Sequence, residues 1–443
     1  MRAAFAVLWI GLIVLPMKAD DITAVTAPEN LLVLAGYAEG LSLLSNRVWS
    51  TDDLLQMTDT LPVERRHPLR RLLLGNPEPA AKSIHGFAFL TAEYAPRLAW
   101  RIGGIASLST EADFVFTLDT ARSLYEQRPI LSWIDTAQVR LYTSLGEWRI
   151  GQAPLRWGGG YSGAMLLSDT APPLPHVSYQ KDWHLGRWLG TWRFQQIVAM
   201  FEEDGSQRYV MARRLSRDLS NRWHLSFSEA FKSSKLPRGA AALVTPFYLY
   251  QYATMWWYYD GKDEWFNYLA DIQLQYRFGQ QQVYLELLLD DLQAPRWLTR
   301  FRYRTPRKSG VLLGYHHAFP HNARITIEIA HTDGDPGGGV YNFKDPRNRW
   351  RYRDSVLGHP VGTNRDMLWI RLDTPLGRRG YLAIEHANTR LANASPEVPV
   401  GREWTVYAYY LLDDALFAGV RLQRHENRDG TDTRWLLQVG QLF

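Results

Sequence analysis

From Ser83 onward, the sequence alternates between apolar and polar residues in segments of about ten residues, the length of a tilted transmembrane β-strand. The clearest segment is "NYLADIQLQYRF" (267–278), and "ARITIEIAH" (323–331) and "EWTVYAYYLL" (403–412) repeat the pattern. Successive side chains of a strand point to opposite faces, so each segment has one apolar and one polar face. Soluble β-sandwiches alternate in the same way. The pattern therefore predicts strands, and other features must separate the two classes.

Roughly eighteen such segments can be counted, give or take about two. The last, "RWLLQVGQLF", ends at Phe443 and resembles the closing strand by which the barrel-assembly machinery recognises bacterial outer-membrane barrels. We therefore predict an all-β transmembrane barrel of about 18 antiparallel strands, wide enough to hold a lumen. The predicted strands begin near residues 84, 98, 112, 132, 146, 191, 206, 222, 268, 281, 296, 309, 322, 366, 378, 402, 416 and 432.

Composition supports the membrane class. The chain has 18 Trp, 23 Tyr and 17 Phe, and transmembrane barrels carry aromatic girdles at both membrane interfaces. The absence of cysteine from the sequence excludes disulfides, a cysteine nucleophile and thiolate metal sites. The net charge of +5 comes from scattered basic residues, which does not favour a nucleic-acid partner.

The N-terminal part of the chain differs from the rest. Residues 1–19 have a basic start, an apolar core and a small residue, Ala19, before the predicted cleavage site, which is typical of a secretory signal peptide. Residues 20–82 have leucines at near-helical spacing, and we expect two or three short helices between Ala27 and Gly75. The predicted organisation is a signal peptide, a small periplasmic helical bundle and a barrel over 83–443.

Strand parity predicts which links lie on each side of the membrane. With Phe443 at the periplasmic end, the links near 153–190, 332–365, 390–401 and 426–431 fall outside the cell. The same count places the long link 231–267 on the periplasmic side, although long links there are unusual. Its aromatic stretch "TPFYLYQYATMWWYYDGKDEWF" led us to expect a helical periplasmic insert that joins the N-terminal helices as a plug.

The stretch "RWGGGYSGAMLLSD" (156–169) places three consecutive glycines beside aromatic residues. A phosphate-binding loop would need Lys followed by Ser or Thr after the glycines, and Gly160 is followed by Tyr161. Two interpretations of the glycine run remain open. The glycines let a loop pack tightly inside the barrel, or Trp157 and Tyr161 stand beside a glycan path with Arg156 reaching acidic sugars.

The segment 331–354 combines acidic, glycine and basic residues. Asp333, Asp335 and Asp345 lack the spacing of a calcium loop, so we expect no metal and no cofactor. Its basic and aromatic residues would suit an acidic polysaccharide or the phosphates of lipopolysaccharide. The candidate polysaccharide-binding residues are Arg156, Trp157, Tyr161, Trp350, Arg351 and Tyr352.

Three stretches together resemble the Wzi capsule-assembly family of outer-membrane proteins. They are "IGQAPLRWGGGYSGAMLLSD" (150–169), "RYRDSVLGHPVGTNRDML" (351–368) and the strand–insert–strand pattern over 222–278. The family typically has Trp-Gly-Pro-Gly in the first stretch, and Gly159 replaces the proline here. The second stretch matches the family's Gly-His and Asn-x-Asp at Gly358, His359, Asn364 and Asp366.

This resemblance implies an 18-stranded barrel whose lumen is blocked by periplasmic helices and folded-in loops. It also implies a non-enzymatic surface lectin in the outer membrane that helps attach capsular or other extracellular polysaccharide. A porin or sugar channel is the alternative, and an outer-membrane hydrolase is a third class, without a nucleophile-elbow context in the sequence. We expect a monomer in contact with lipopolysaccharide.

Overall fold

The computed structural model describes residues 83–93, 97–109, 112–119, 134–186, 190–234, 266–290, 308–319, 323–334, 339–342, 346–353, 355–377, 380–392, 401–412, 416–427 and 430–442. The predicted signal peptide, the N-terminal helical region, the strand near residue 296 and most of the 231–267 link lie outside these ranges. Within them, the chain has no helix that is both long and apolar enough to cross a membrane.

The described residues form twenty strands, of which eighteen belong to one antiparallel sheet. Strands β14 and β15 make a separate two-stranded hairpin inside the link between β13 and β16. The strands are β1 (Ser83–Glu93), β2 (Arg97–Ser109), β3 (Ala112–Asp119), β4 (Ile134–Thr143), β5 (Gly146–Ala153), β6 (Leu174–His184), β7 (Thr191–Glu203), β8 (Ser206–Asp218), β9 (Trp223–Ser233), β10 (Phe266–Phe278), β11 (Gln281–Asp290), β12 (Lys308–Ala318), β13 (Arg324–Thr332), β14 (Arg351–Tyr352), β15 (Ser355–Val356), β16 (Arg365–Leu376), β17 (Gly380–Leu391), β18 (Gly401–Leu411), β19 (Leu416–Asn427) and β20 (Gly430–Leu442).

Each strand of the large sheet pairs with the next one along the chain, and β1 pairs with both β2 and the last strand, β20. In the β1–β20 pair, Phe87 lies opposite Leu442 and Glu93 lies opposite Leu436. The sheet therefore returns on itself and gives every strand two neighbours. Seventeen of the eighteen predicted strand starts lie within two residues of an observed start.

The two faces of the wall follow the alternation in the sequence. On β11, the side chains of Tyr284 and Glu286 are buried on the inner face, while alternate leucines are only partly buried on the outer face. On β13, Thr326 and Glu328 are buried inside, and Ile329 on the outer face is 54% exposed. Polar residues inside and aliphatic residues outside are typical of a transmembrane barrel.

The strand directions define two ends of the barrel. Short turns such as 144–145 and 279–280 lie at one end, which we call the turn end; β1 begins and β20 ends there. The links 154–173, 333–364 and 392–400 emerge at the opposite end, which we call the loop end. The common placement of these three links agrees with the sequence prediction.

The predicted placement of the 231–267 link is wrong. Ser233 at the end of β9 pairs with Phe266 at the start of β10, and both lie at the loop end with the other long links. The cause is a wrong count of strands, which reversed the end assigned to this link. The alternation missed β6, whose sequence "LPHVSYQKDWH" carries a proline at its second position and a lysine on its outer face. It also counted a strand near 296, whereas β11 pairs directly with β12.

An aromatic belt surrounds part of the turn end on the outer face. Trp183 stacks on Phe194 with ring centroids 4.6 Å apart. Two further pairs, Trp148 with Tyr179 and Trp223 with Tyr276, have centroids 4.7 Å and 4.4 Å apart. Such belts lie at membrane–water interfaces, which fixes the depth of this end of the barrel.

Candidate functional site

Two links from the loop end fold into the lumen and contact each other there. We call residues 154–173, between β5 and β6, the glycine loop, and residues 333–364, between β13 and β16, the long loop. Two of the three stretches that carry the family resemblance fall largely within these loops. Their contacts with the wall and with each other define the candidate site.

A buried carboxylate of the wall, Glu286 on β11, binds the tip of the glycine loop. Its Oε1 accepts hydrogen bonds from the amides of Gly159 at 2.5 Å and Gly160 at 2.8 Å. Its Oε2 accepts a third from the amide of Met165 at 2.8 Å. Burial of an ionised carboxylate is unfavourable unless its oxygens accept hydrogen bonds, and these three amides satisfy that requirement.

A second carboxylate, Glu328 on β13, binds the next residues of the same loop. Its oxygens accept hydrogen bonds from the amides of Tyr161 and of Ser162, the latter at 2.7 Å, and from the hydroxyl of Tyr284. Successive amides that point at one anion form an anion-binding nest. The glycine run is thus a nest for acidic side chains of the barrel's own wall.

The glycines lie close to the wall and to the rest of the loop. A Cβ at Gly158 would lie 2.6 Å from a carboxylate oxygen of Glu286, and one at Gly159 would lie 2.5 Å from the amide nitrogen of Gln273. One at Gly160 would overlap the side chain of Leu312. Gly158 and Gly160 therefore have no room for a side chain, whereas at Gly159 the neighbouring Gln273 side chain could move aside.

The base of the glycine loop is closed by two contacts. The Arg156 guanidinium donates to Asp169 Oδ1 at 2.9 Å, and both side chains are buried. The Trp157 amide donates to the carbonyl of Leu167 at 2.8 Å. These contacts bring the two ends of the loop together and present its tip to the wall.

The long loop packs on the glycine loop through hydrogen bonds to its main chain. The Tyr341 hydroxyl donates to the carbonyl of Met165 at 2.6 Å, and the Trp350 indole donates to the carbonyl of Leu166 at 2.8 Å. In return, the amide of Ser168 donates to the carbonyl of Leu357 at 2.7 Å. The two loops therefore form one unit.

Charged side chains at the rim fix the long loop to the wall. Lys232 Nζ donates to the carbonyl of Arg351 at 2.6 Å and to Glu203. Lys308 Nζ donates to the carbonyl of Asn342 at 3.0 Å. These lysines lie at or near the loop ends of β9 and β12, so the wall at the loop end of the barrel binds the long loop directly.

An apolar core lies inside the barrel at the level of these contacts. It contains fully buried residues from both loops and from the lumen face of the wall, so this level of the lumen is filled by protein. Its members include Met165, Leu166, Leu167, Tyr341, Trp350, Leu357, Val210, Leu269, Leu288 and Leu312.

His359 in the long loop is fully buried beside Ser162. Burial, aided by the positive charge of Arg156, lowers the pKa of His359 from 6.5 to about 3, so the ring is neutral at pH 7. Its Nδ1 accepts the amide hydrogen of Val361 at 3.1 Å, so Nε2 carries the proton and donates to Ser162 Oγ at 3.1 Å. A serine hydrolase needs the opposite tautomer, with Nε2 as the acceptor.

The six residues predicted to bind polysaccharide lie in or beside this unit. Five of them, Arg156, Trp157, Tyr161, Trp350 and Tyr352, are buried, whereas Arg351 is half-buried. Tyr161 stacks on His316 inside the barrel with ring centroids 4.9 Å apart. In this arrangement a polymer does not reach the four aromatic rings, so their burial supports the packing reading that the sequence left open.

The short segment 346–353 separates its aromatic and basic residues. Trp350 and Tyr352 point into the core, whereas Arg347 and Arg353 are exposed at the loop end. Of the three aspartates considered as calcium ligands, only Asp333 is among the described residues, where it accepts hydrogen bonds from Ser309. Within the part of the chain that the structure describes, no cluster of three His, Asp or Glu could hold a metal ion.

Sequence reasoning missed the two residues that organise the site, Glu286 and Glu328. Each is the single acid within an aliphatic stretch, "YLELLL" on β11 and "ITIEIA" on β13. A carboxylate at such a depth needs partners. That signal could have marked both positions as contacts for a folded-in segment.

These features define an outer-membrane β-barrel whose lumen is occupied by its own loops. The chain belongs to the family of the capsule assembly protein Wzi, whose model matches residues 133–427.

Solved structures share the fold, and two of them show the extent of the likeness. One is Wzi from Escherichia coli, described as a carbohydrate-binding β-barrel of the outer membrane involved in group 1 capsule assembly. It is 11% identical, with a TM-score of 0.59 over 91% of each chain. The other is OccK3 (OpdO) from Pseudomonas aeruginosa, 10% identical, with a TM-score of 0.50 over 82% of this chain and 96% of that one. At such identities the likeness concerns the fold alone. No curated protein sequence matches the chain.

Proposed function

We propose that this protein is a non-conducting surface lectin of the outer membrane that helps attach or organise capsular or other extracellular polysaccharide. The observation that carries the proposal is the plug formed by the glycine loop and the long loop, held by Glu286 and Glu328 inside the barrel. An open channel has no use for an apolar core across its lumen. In a protein that displays loops at its mouth, such a core holds the loops in position.

The orientation follows from the lengths of the links. Outer-membrane barrels have short periplasmic turns and longer extracellular loops, which assigns the loop end to the cell surface. The chain enters β1 at the turn end, so residues 20–82 would lie on the periplasmic side. We propose that they form the helical bundle predicted from the sequence and cover the periplasmic mouth. Deletion of 27–75 tests this second plug separately.

The glycan-binding surface is proposed at the basic segment 346–353. Arg351, one of the six predicted residues, lies there between the exposed Arg347 and Arg353. Planar guanidinium groups suit the carboxylates of acidic sugars. The other five predicted residues would act by holding this segment in place: Trp350 and Tyr352 anchor it from below, and Arg156, Trp157 and Tyr161 shape the loop on which it rests.

The proposed test is retention of a purified acidic capsular polysaccharide by intact cells at equal surface amounts of protein. The variant is the triple substitution Arg347→Gln, Arg351→Gln and Arg353→Gln. We expect it to lower retention and to make the remainder less sensitive to salt, because screened attraction is lost.

The matched control changes the same net charge on the outer wall: Arg390→Gln, Arg402→Gln and Arg424→Gln, all exposed on β17 to β19. Retention by this control should equal that of the native protein. Equal retention by both triple variants would remove segment 346–353 as the binding surface. The double substitution Trp157→Ala with Trp350→Ala should lower retention only to the extent that it displaces the loops.

A further inference from the structure

One part of the outer wall is covered, unlike the other described side chains on that face. Met211 on β8, Phe231 on β9 and Tyr268 on β10 are only 4–5% exposed. Met200, on the outer face of the adjacent strand β7, is 56% exposed. Side chains that face lipid in a single chain should resemble Met200. The wall across β8 to β10 therefore carries a covered patch.

The register confirms that these residues point outward. Met211 lies opposite Phe231, and Phe231 lies opposite Tyr268. Their neighbours in sequence, Ala212, Ala230 and Leu269, belong to the apolar core inside the barrel. Because side chains alternate along a strand, the three residues of the patch must lie on the other face. They form a separate apolar cluster there, with Ala270 and Val198.

The covered patch includes two ionisable side chains. Arg213 on β8 lies opposite Glu229 on β9, and each is only 4% exposed. Glu229 accepts a hydrogen bond from the Tyr268 hydroxyl at 2.9 Å. Along the outward-facing positions of β8, Arg213 is followed by Leu215 and then by Arg217, whose guanidinium lies over the ring of Trp192. Charged side chains at this depth are unfavourable against lipid.

The connectivity indicates which segment of the chain can reach the patch. Ser233 and Phe266 are paired neighbours at the top of the patch, and the 31 residues 235–265 begin and end beside them. Ser233 is fully buried. The link contains "FYLYQYATMWWYY" (247–259), whose rings suit contact with both an apolar wall and a membrane interface. The link is long enough to reach Glu229, which lies four residues from Ser233 along β9.

We propose that the segment 235–265 folds back over the outer wall of β8 to β10 and shields Arg213 and Glu229 from lipid. This flank of the barrel is then a protein-covered face, and the aromatic side chains of the segment meet the membrane in its place. The proposal is independent of glycan binding. It also gives the aromatic link a role at the cell-surface end, in place of the predicted periplasmic one.

The test uses the absence of cysteine from the sequence. Met211→Cys and Met200→Cys are made singly in the full chain, reconstituted in vesicles and treated with a membrane-permeant maleimide. We expect the thiol at position 211 to react about tenfold more slowly than that at position 200, as for a site reached only through local opening. When 240–260 is replaced by a short Gly/Ser linker, the rate at 211 should rise to that at 200, with the rate at 200 unchanged.

Equal rates at 211 and 200 in the full chain would overturn the proposal, as would protection at 211 that survives the replacement. A second measurement does not depend on that replacement. A photo-crosslinking phenylalanine analogue at Phe231 of the full chain should capture peptides from 235–265. Capture of peptides from 20–82, or of a second copy of the chain, would contradict the proposal.

Discussion

The amide of Gly159 donates a hydrogen bond to Oε1 of Glu286 at 2.5 Å, across 127 residues of sequence. The family typically has proline at this position, and proline has no amide hydrogen. The glycine in this chain therefore adds a donor to a nest that Gly160 and Met165 also form. Its effect is to tie the loop to the wall.

The first prediction concerns this anchor. Glu286→Ala leaves the buried amides of Gly160 and Met165 and the partly buried amide of Gly159 without their acceptor, and each buried loss costs about 1–3 kcal/mol. Hydrogen exchange of peptides covering 156–169 should become faster. Glu385→Ala is the control, because Glu385 lies on the lumen face of β17 and binds Arg371 there. Exchange in the glycine loop that is the same in both variants would contradict the anchoring role of Glu286.

The second prediction concerns Trp350, which is fully buried and donates to the carbonyl of Leu166. Trp350→Ala should destabilise the plug by about 3–5 kcal/mol, as expected for loss of a large buried ring. Protease digestion should then cleave within 339–365 while the barrel keeps its heat-modifiable gel mobility. Trp404→Ala, on the exposed outer face of β18, should leave the cleavage pattern unchanged. Resistance of both variants to cleavage would argue against a packing role for Trp350.

The third prediction concerns pH. Because the pKa of His359 falls from 6.5 to about 3 on folding, the unfolded loop binds more protons than the folded one between these values. The contribution of His359 to stability is therefore complete above pH 6.5 and is lost as the pH falls toward 3. The plug should open more readily at pH 5 than at pH 7.5, measured by hydrogen exchange at matched intrinsic rates.

His359→Gln keeps a polar group without the titration, so it should reduce this difference between the two pH values. Buried carboxylates such as Glu286 remain in both proteins, and the comparison cancels their effect. An equal pH dependence in the native protein and in His359→Gln would exclude His359 as its source.

The strands could be predicted from the sequence because their signal is local. Ile325, Ile327 and Ile329 mark the outer face of β13 without reference to any other part of the chain. The wrong side for the 231–267 link shows the limit of that approach. The side of the membrane assigned to a link depends on the number of strands counted from Phe443. One missed strand and one wrongly counted strand therefore assign every link between them to the wrong end of the barrel.

The site could be located but not interpreted from the sequence. The glycine run and the Gly358-His359 stretch were singled out, and the structure brings them together through Ser162 and His359. Their partners, Glu286 and Glu328, lie 126 and 166 residues away from Gly160 and Ser162. Only the tertiary contacts show that the ring of Trp350 packs in the apolar core.

The most direct test of the plug is single-channel conductance of the purified protein in a planar lipid bilayer. We expect the intact protein to remain near background, because the glycine loop and the long loop fill the lumen. In a background that lacks residues 27–75, and with them the proposed periplasmic plug, the double substitution Glu286→Ala with Glu328→Ala should produce openings by releasing the glycine loop, whereas Glu385→Ala should not. Stable, ohmic currents from the intact protein would contradict the account and favour a porin.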